Sequence, residues 1–174
     1  MLKPVFRLLA VLAVALQLGA CIYSDYDLGS ALKPEFPVKP GTYANDKNNV
    51  VVVRRFGDAY RVYNRGTKLA TYAKLYKIPE YPDYLMQYYD RSKKPIVYLF
   101  LKTTENGFQI YTIDKLATVV PAHVANLVTP GSNNNKNENE ITITNGRRDT
   151  LYVVRELARA NPKMDLAESY ERKN

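Results

Sequence analysis

The chain has 174 residues, a formal net charge of +8, one cysteine, one histidine and no tryptophan. One cysteine excludes an intramolecular disulfide framework and a thiolate metal centre, so a domain of this length must hold by packing alone. The basic residues are spread along the chain and not run together, the pattern of a solvated surface, with an anion site as the sharper alternative.

In chain order the leader comes first. Lys3 and Arg7 make a basic start, Leu8 to Leu16 is unbroken aliphatic, and Leu18-Gly19-Ala20-Cys21 follows. The apolar run ends at Gln17, about half of the roughly 20 residues that a permanent spanning helix needs, so residues 1–20 read as a cleaved export signal. Gly19 and Ala20 lack bulk, which lets the backbone lie extended in a peptidase cleft, and the thiol of Cys21 is the one soft nucleophile within reach. The stretch resembles the lipobox of bacterial lipoproteins, with Leu at the third position before an obligatory Cys, small residues between them and a basic start upstream. Gly19 departs from the Ala or Ser commoner at its position. The resemblance implies signal cleavage between Ala20 and Cys21, a diacylglycerol thioether on Cys21 and an acylated new amino terminus. Each buried methylene adds about 0.8 kcal/mol, so two or three acyl chains amount to a stable membrane anchor. In Gram-negative members Asp directly after the cysteine favours the inner membrane; Ile22 stands there, which implies the outer membrane, facing periplasm or cell surface. A basic protein in that setting meets anionic lipid headgroups, lipopolysaccharide phosphates or acidic wall polymers before nucleic acid, and no nucleic-acid partner is expected.

Residues 21–40 hold few periodic apolar positions and three prolines, Pro34, Pro37 and Pro40, and read as a membrane-proximal tether. Tyr23 and Tyr26 suit the headgroup level there, or pack on the domain. Residues 41–174 read as a single domain. Val50 to Phe56 and Ala59 to Tyr63 flank Gly57-Asp58, a hairpin with the glycine placed for a type II′ turn. Leu69 to Ile78 predicts a third strand stopped by Pro79 and Pro82. Tyr84 to Tyr89, Pro95 to Thr103 and Phe108 to Ile113 add a meander, with turns at Arg91-Ser92-Lys93-Lys94 and Glu105-Asn106-Gly107. Ile96 to Lys102 is apolar on both faces, Ile96, Tyr98 and Phe100 on one and Val97, Leu99 and Leu101 on the other, as a strand covered on both sides requires. Leu116 to Val128 predicts a short helix over 122–127, and residues 131–140 an Asn-rich loop. Ile141 to Thr144 is a short strand. Asp149 then offers an N-cap for a helix to about Asn161 that buries Leu151, Val154, Leu157 and Ala158, and a helical turn or two is expected over 165–172. The fold class is α+β: mainly antiparallel sheet, a meander of hairpins, with a C-terminal helix packed on it.

The chemistry-bearing residues are sparse. His123 lies in an apolar stretch without a nearby Cys or His, and there is no Gly-x-Ser-x-Gly elbow. The glycines are scattered at turns without nucleotide-binding spacings, so neither a cofactor nor a metal is expected. Glu80, Asp83, Asp90 and Glu105 are the carboxylates to watch for convergence of the kind glycoside cleavage needs, against their ordinary role as surface acids. Arg54, Arg55 and Arg61 are the candidate anion-binding set. Fifteen tyrosines are the last unusual feature. They suit a half-buried sheet face, or stack on a ligand, with Tyr84, Gln87 and Tyr88 as the candidate stacking group. The expectation is a non-catalytic, lipid-anchored envelope protein with a structural or protein-interaction role and an envelope protein as partner. The alternative is a binding module for envelope glycan or anionic lipid such as lipopolysaccharide.

Overall fold

The computed structural model describes residues 21–66, 70–90, 96–131 and 139–173. Its strands are β1 (Cys21–Ser24), β2 (Gly41–Ala44), β3 (Val50–Phe56), β4 (Ala59–Asn64), β5 (Thr71–Ile78), β6 (Tyr81–Tyr89), β7 (Ile96–Thr103), β8 (Gly107–Ile113), β9 (Val128–Pro130), β10 (Glu140–Ile143) and β11 (Met164–Arg172). Two 3-10 helices cover Leu116–Thr118 and Ala122–Leu127, and one α-helix, α1, covers Arg147–Arg159. The leader, Ala20, Leu69, the Arg91 to Lys94 turn and most of the Asn-rich loop lie outside the described residues.

The structure is mainly antiparallel β, as expected, but the open meander is corrected to a closed barrel. Strands β2 to β8 follow one another as neighbours, β6 pairs with β7, and β11 fits between β8 and β2, so eight strands close on themselves. Closure removes the two unpaired edges that a meander leaves open to other chains. Period-2 alternation divides the side chains between lumen and outer wall. Val51, Val53, Tyr60, Leu75, Met86, Leu99 and Phe108 fill the lumen. Tyr76, Leu85, Tyr98 and Phe100 face outward, where β1, β10 and α1 cover them. Every residue from Ile96 to Leu101 is buried, so β7 is the doubly covered strand that its two apolar faces predict.

The first hairpin also stands as expected. Gly57 has φ 59°, which suits the first position of a type II′ turn, and Asp58 does not share the positive φ of a type I′ turn. Pro82, expected to stop a strand, is the second residue of β6, where a missing ladder donor is tolerated. The short helix expected over 122–127 is present as the 3-10 helix Ala122–Leu127, with another at Leu116–Thr118 before it and β9 after it.

α1 begins after Gly146 without a side-chain cap; Asp149 lies inside the first turn, where its charge complements the helix dipole, instead of capping it. The helix buries Thr150, Val153, Val154, Leu157 and Ala158 against the outer wall, and Leu151 is only half-buried. It is not the last element. Residues 165–172, expected as helical turns, are in β11, which pairs along β8 with a bulge between Leu166 and Glu168. Pairing with β8 overrides the helix-forming composition of Leu166, Ala167 and Glu168.

The tether is the largest correction. Cys21–Ser24 is β1, parallel to β10 and antiparallel to β7. Leu28 is fully buried and its N–H donates to Gln87 Oε1 at 3.0 Å. Glu35 bridges Leu75 of β5, and Val38 sits in the luminal cluster with its N–H and C=O both bonded to the Tyr60 hydroxyl, at 2.9 and 2.8 Å. Phe36 packs edge-on to Tyr60 at 5.3 Å between ring centroids. The Pro-rich segment therefore stops one end of the barrel and does not hold it off at a distance.

One glycine is fixed by close approach. A Cβ on Gly107 would stand 1.8 Å from the Tyr170 carbonyl oxygen, inside β11. Gly107→Ala is expected to force β8 and β11 apart and lower stability by about 1–3 kcal/mol or more, read as a drop in the urea midpoint. Gly57→Ala, open on all sides but at positive φ, is expected to cost about 1–2 kcal/mol.

Candidate functional site

Cys21 is the first residue of β1 and is fully buried in the luminal cluster. Its N–H donates to Asn139 O at 3.0 Å, and it shares a side-chain hydrogen bond with Tyr23. Burial pushes its thiol up to about 12, so a folded domain offers almost no thiolate at neutral pH. Tyr23 packs beside it on the luminal side. Tyr26 is 36% exposed, and its carbonyl accepts from the Tyr98 hydroxyl.

The arginine set divides. Strand alternation puts Arg54 and Arg61 opposite one another on the outer wall and turns Arg55 the other way, over the Phe36 ring at 4.0 Å. The stacking group divides likewise. Tyr84 and Tyr88 pack on the luminal side, Tyr84 beneath Lys77 Nζ at 4.2 Å, while Gln87 is buried in the outer wall against Leu28 and the Tyr76 and Tyr98 hydroxyls. Those three residues cannot share a ligand.

The carboxylates do not converge either. Glu80 Oε1 is held by Arg155 at 2.6 and 2.8 Å and by Arg159 at 3.0 Å, with its side chain 6% exposed. Asp90 follows the far end of β6, roughly 30 Å away along an extended strand, Asp83 lies on β6, and Glu105 is exposed in the turn after β7. His123 Nε2 is hydrogen-bonded to Glu156 Oε2 at 2.9 Å, and Glu156 also pairs with Arg159, so the histidine extends a chain of polar contacts that ties α1 to the β5–β6 turn and to the 3-10 helix.

The bonds from Arg155 hold the Glu80 carboxyl below its ordinary value of 4.5. A carboxylate shifted down in the folded state stabilises fully above its unfolded pKa and loses that contribution as pH falls through its folded pKa. Wild-type urea midpoints are therefore expected to fall more steeply than those of Glu80→Gln as pH drops below about 4.5, once the other carboxylates common to both are subtracted.

Concave spaces among the described residues include a polar hollow of about 400 Å³ lined by Val38, Lys39, Tyr43, Glu105 and Arg172, among others. The lumen holds a cavity of about 100 Å³ lined by Val51, Val62, Met86, Leu99, Phe108 and Glu168, among others. Since about 150 Å³ is needed to admit a benzene-sized guest, this is a packing gap in a filled barrel. A larger space is an outer-wall cleft of about 550 Å³, formed by Phe56, Asp58, Arg61, Tyr72, Tyr89 and Asp90 with Gly57 and Ala59. Register builds it: Arg61 is opposite Tyr72 and Tyr72 opposite Tyr89, and the row continues beyond the cleft lining to Arg54, opposite Arg61. The Tyr72 and Tyr89 rings stack at 5.7 Å and 17°, and Phe56, 58% exposed, leans on Tyr72 at 5.9 Å. Asp58 is committed to Lys74 at 2.7 Å, a lysine that Asp27 also holds at 3.0 Å. Arg61 is legible in the sequence as a cation, and Tyr72 and Tyr89 as two of the tyrosines that suit stacking on a ligand; Phe56 was missed, and only the register brings the four together.

No protein-family profile matches the chain, and no curated protein or solved structure matches it either.

Proposed function

We propose that the protein is a lipid-anchored component of the cell envelope, most simply the outer membrane, held through Cys21 and doing non-catalytic work as a structural or protein-interaction module. One observation supports this reading above all: the lipobox Leu18-Gly19-Ala20-Cys21 stands behind a basic, apolar leader, and its cysteine is the first residue of β1. A thioether on its sulfur has no room in the closed lumen. The lipid is therefore attached before β1 docks, and Cys21 then stays outside while Ile22 to Ser24 pair with β7 and β10. Leaving Cys21 undocked forfeits one small apolar side chain and one backbone hydrogen bond, about 1–3 kcal/mol. Membrane insertion of one acyl chain of about 14 carbons has a binding constant of about 10⁴ M⁻¹, roughly 5 kcal/mol, and two or three chains add to it, so the anchor wins.

The consequence is orientation. Ile22 is 2% exposed and paired on both sides, so a single residue separates the acyl chains from the packed wall. The barrel rides flush on the membrane and meets partners at that surface, not at the end of an arm. A photo-crosslinking residue at Leu166, 52% exposed on β11, is expected to give one discrete protein adduct in intact cells that disappears in Cys21→Ala. Recovery of the monomer alone from Leu166 and from Tyr152, also an exposed apolar position, contradicts the interaction role.

A further inference from the structure

We infer that the outer-wall cleft binds an acidic saccharide, its sugar ring on Tyr72, Tyr89 and Phe56 and its anionic group on Arg54 and Arg61. This goes beyond the anchored role and stands apart from it, since the cleft is on β3 to β6 and owes nothing to Cys21.

Like charges directly opposite on neighbouring strands repel, and Arg54 and Arg61 are such a pair. Among the described residues no carboxylate lies within ion-pair distance of either guanidinium. Both instead lie over the Tyr63 ring, at 5.7 and 5.9 Å, which orients the two cations without neutralising them. Arg61 Nε is moreover buried without a hydrogen-bond partner. Uncompensated charge beside an unsatisfied donor breaks the local rules of sheet stability, and folds break those rules where a ligand supplies the missing partner.

The neighbouring residues say what kind of ligand. A bare phosphate or carboxylate needs only the arginines. Here the arginine row continues into two nearly parallel phenol rings, with a third ring at their edge and 550 Å³ of open space before them. A flat aromatic face edged by hydrogen-bonding groups suits a ligand with an apolar face and a polar rim, which is the build of a pyranose ring. Lys74 takes the Asp58 carboxylate out of competition for the arginines. The combination fits a sugar that carries a carboxylate or phosphate, and the lumen, at about 100 Å³, offers no comparable space.

Full chain purified in non-ionic detergent tests this by titration with tetragalacturonate, with the neutral galactose tetrasaccharide and with inorganic phosphate, each followed by calorimetry and by NMR of the tyrosine rings. Tetragalacturonate is expected to bind about tenfold more tightly than the neutral tetrasaccharide, the worth of two exposed ion pairs, and the preference is expected to fade with salt. Arg54→Ala with Arg61→Ala is expected to erase the preference and Tyr72→Ala to weaken both sugars, while Arg55→Ala, on the other face, leaves binding unchanged. Equal binding of the two sugars, phosphate binding as tight as the acidic sugar, an unaffected double variant, or no ring shift with any probe overturns the inference.

Discussion

Cys21→Ala is expected to move the protein from the membrane fraction to the soluble fraction while leaving it folded. The two effects separate because the residue has two roles. In the proposed role of lipid carrier it is irreplaceable: no other side chain forms the thioether, and among the described residues no helix is long and apolar enough to cross a membrane. As a packing element it is slight, a small side chain at the start of a four-residue strand whose remaining three residues keep their pairings. Loss of two or three acyl chains, each worth roughly 5 kcal/mol, changes partitioning by many orders of magnitude. Its alanine neighbour in chemistry costs about 1 kcal/mol of stability. Fractionation with near-UV circular dichroism reads both. A variant that stays with membranes after a salt wash refutes the anchor.

Removal of residues 21–40 is expected to prevent folding, whereas a chain starting at Ile22 folds. A spacer is dispensable; this segment is not. It buries Ile22, Leu28 and Val38, at 2%, 0% and 6% exposure, and each apolar side chain of that size contributes about 1.5–3 kcal/mol. Its loss also strands polar partners: Gln87 loses the Leu28 N–H, Tyr60 loses both groups of Val38, and Lys74, 6% exposed, loses Asp27. Summed, this rivals the whole stability of an ordinary domain, about 5–15 kcal/mol. The check is a urea transition on the two chains: a cooperative one from the longer and none from the shorter. A cooperative transition at the same midpoint from residues 41–174 contradicts the account.

Why the segment misled is physical. Pro34, Pro37 and Pro40 disfavour regular structure in its second half, and the buried residues Ile22, Leu28 and Val38 follow no period, so nothing local announces burial. What docks it are side-chain bonds to backbone groups across long separations, such as Leu28 to Gln87, which no window of sequence contains. By contrast the β3–β4 hairpin is written locally in Gly57-Asp58 and its β-branched arms, and β7 in its two apolar faces. β11 fails for the opposite reason: Asp165 to Glu168 carries helix-forming residues, and only the vacancy between β8 and β2 makes it a strand. The cleft was half legible. Arg54 and Arg61 stand out as charges, but a one-residue step in a strand reverses the face, so Arg55 looked equivalent until the register excluded it and brought in Tyr72 and Tyr89.

We propose that Cys21 carries the lipid that holds this protein at the membrane. Mass spectrometry of the amino-terminal peptide from protein isolated out of its own cells tests it most directly. The account predicts a chain that starts at Cys21 with diacylglycerol on the sulfur and an acyl group on the amine; a chain retaining residues 1–20, or one that starts near Cys21 with an unmodified thiol, contradicts it.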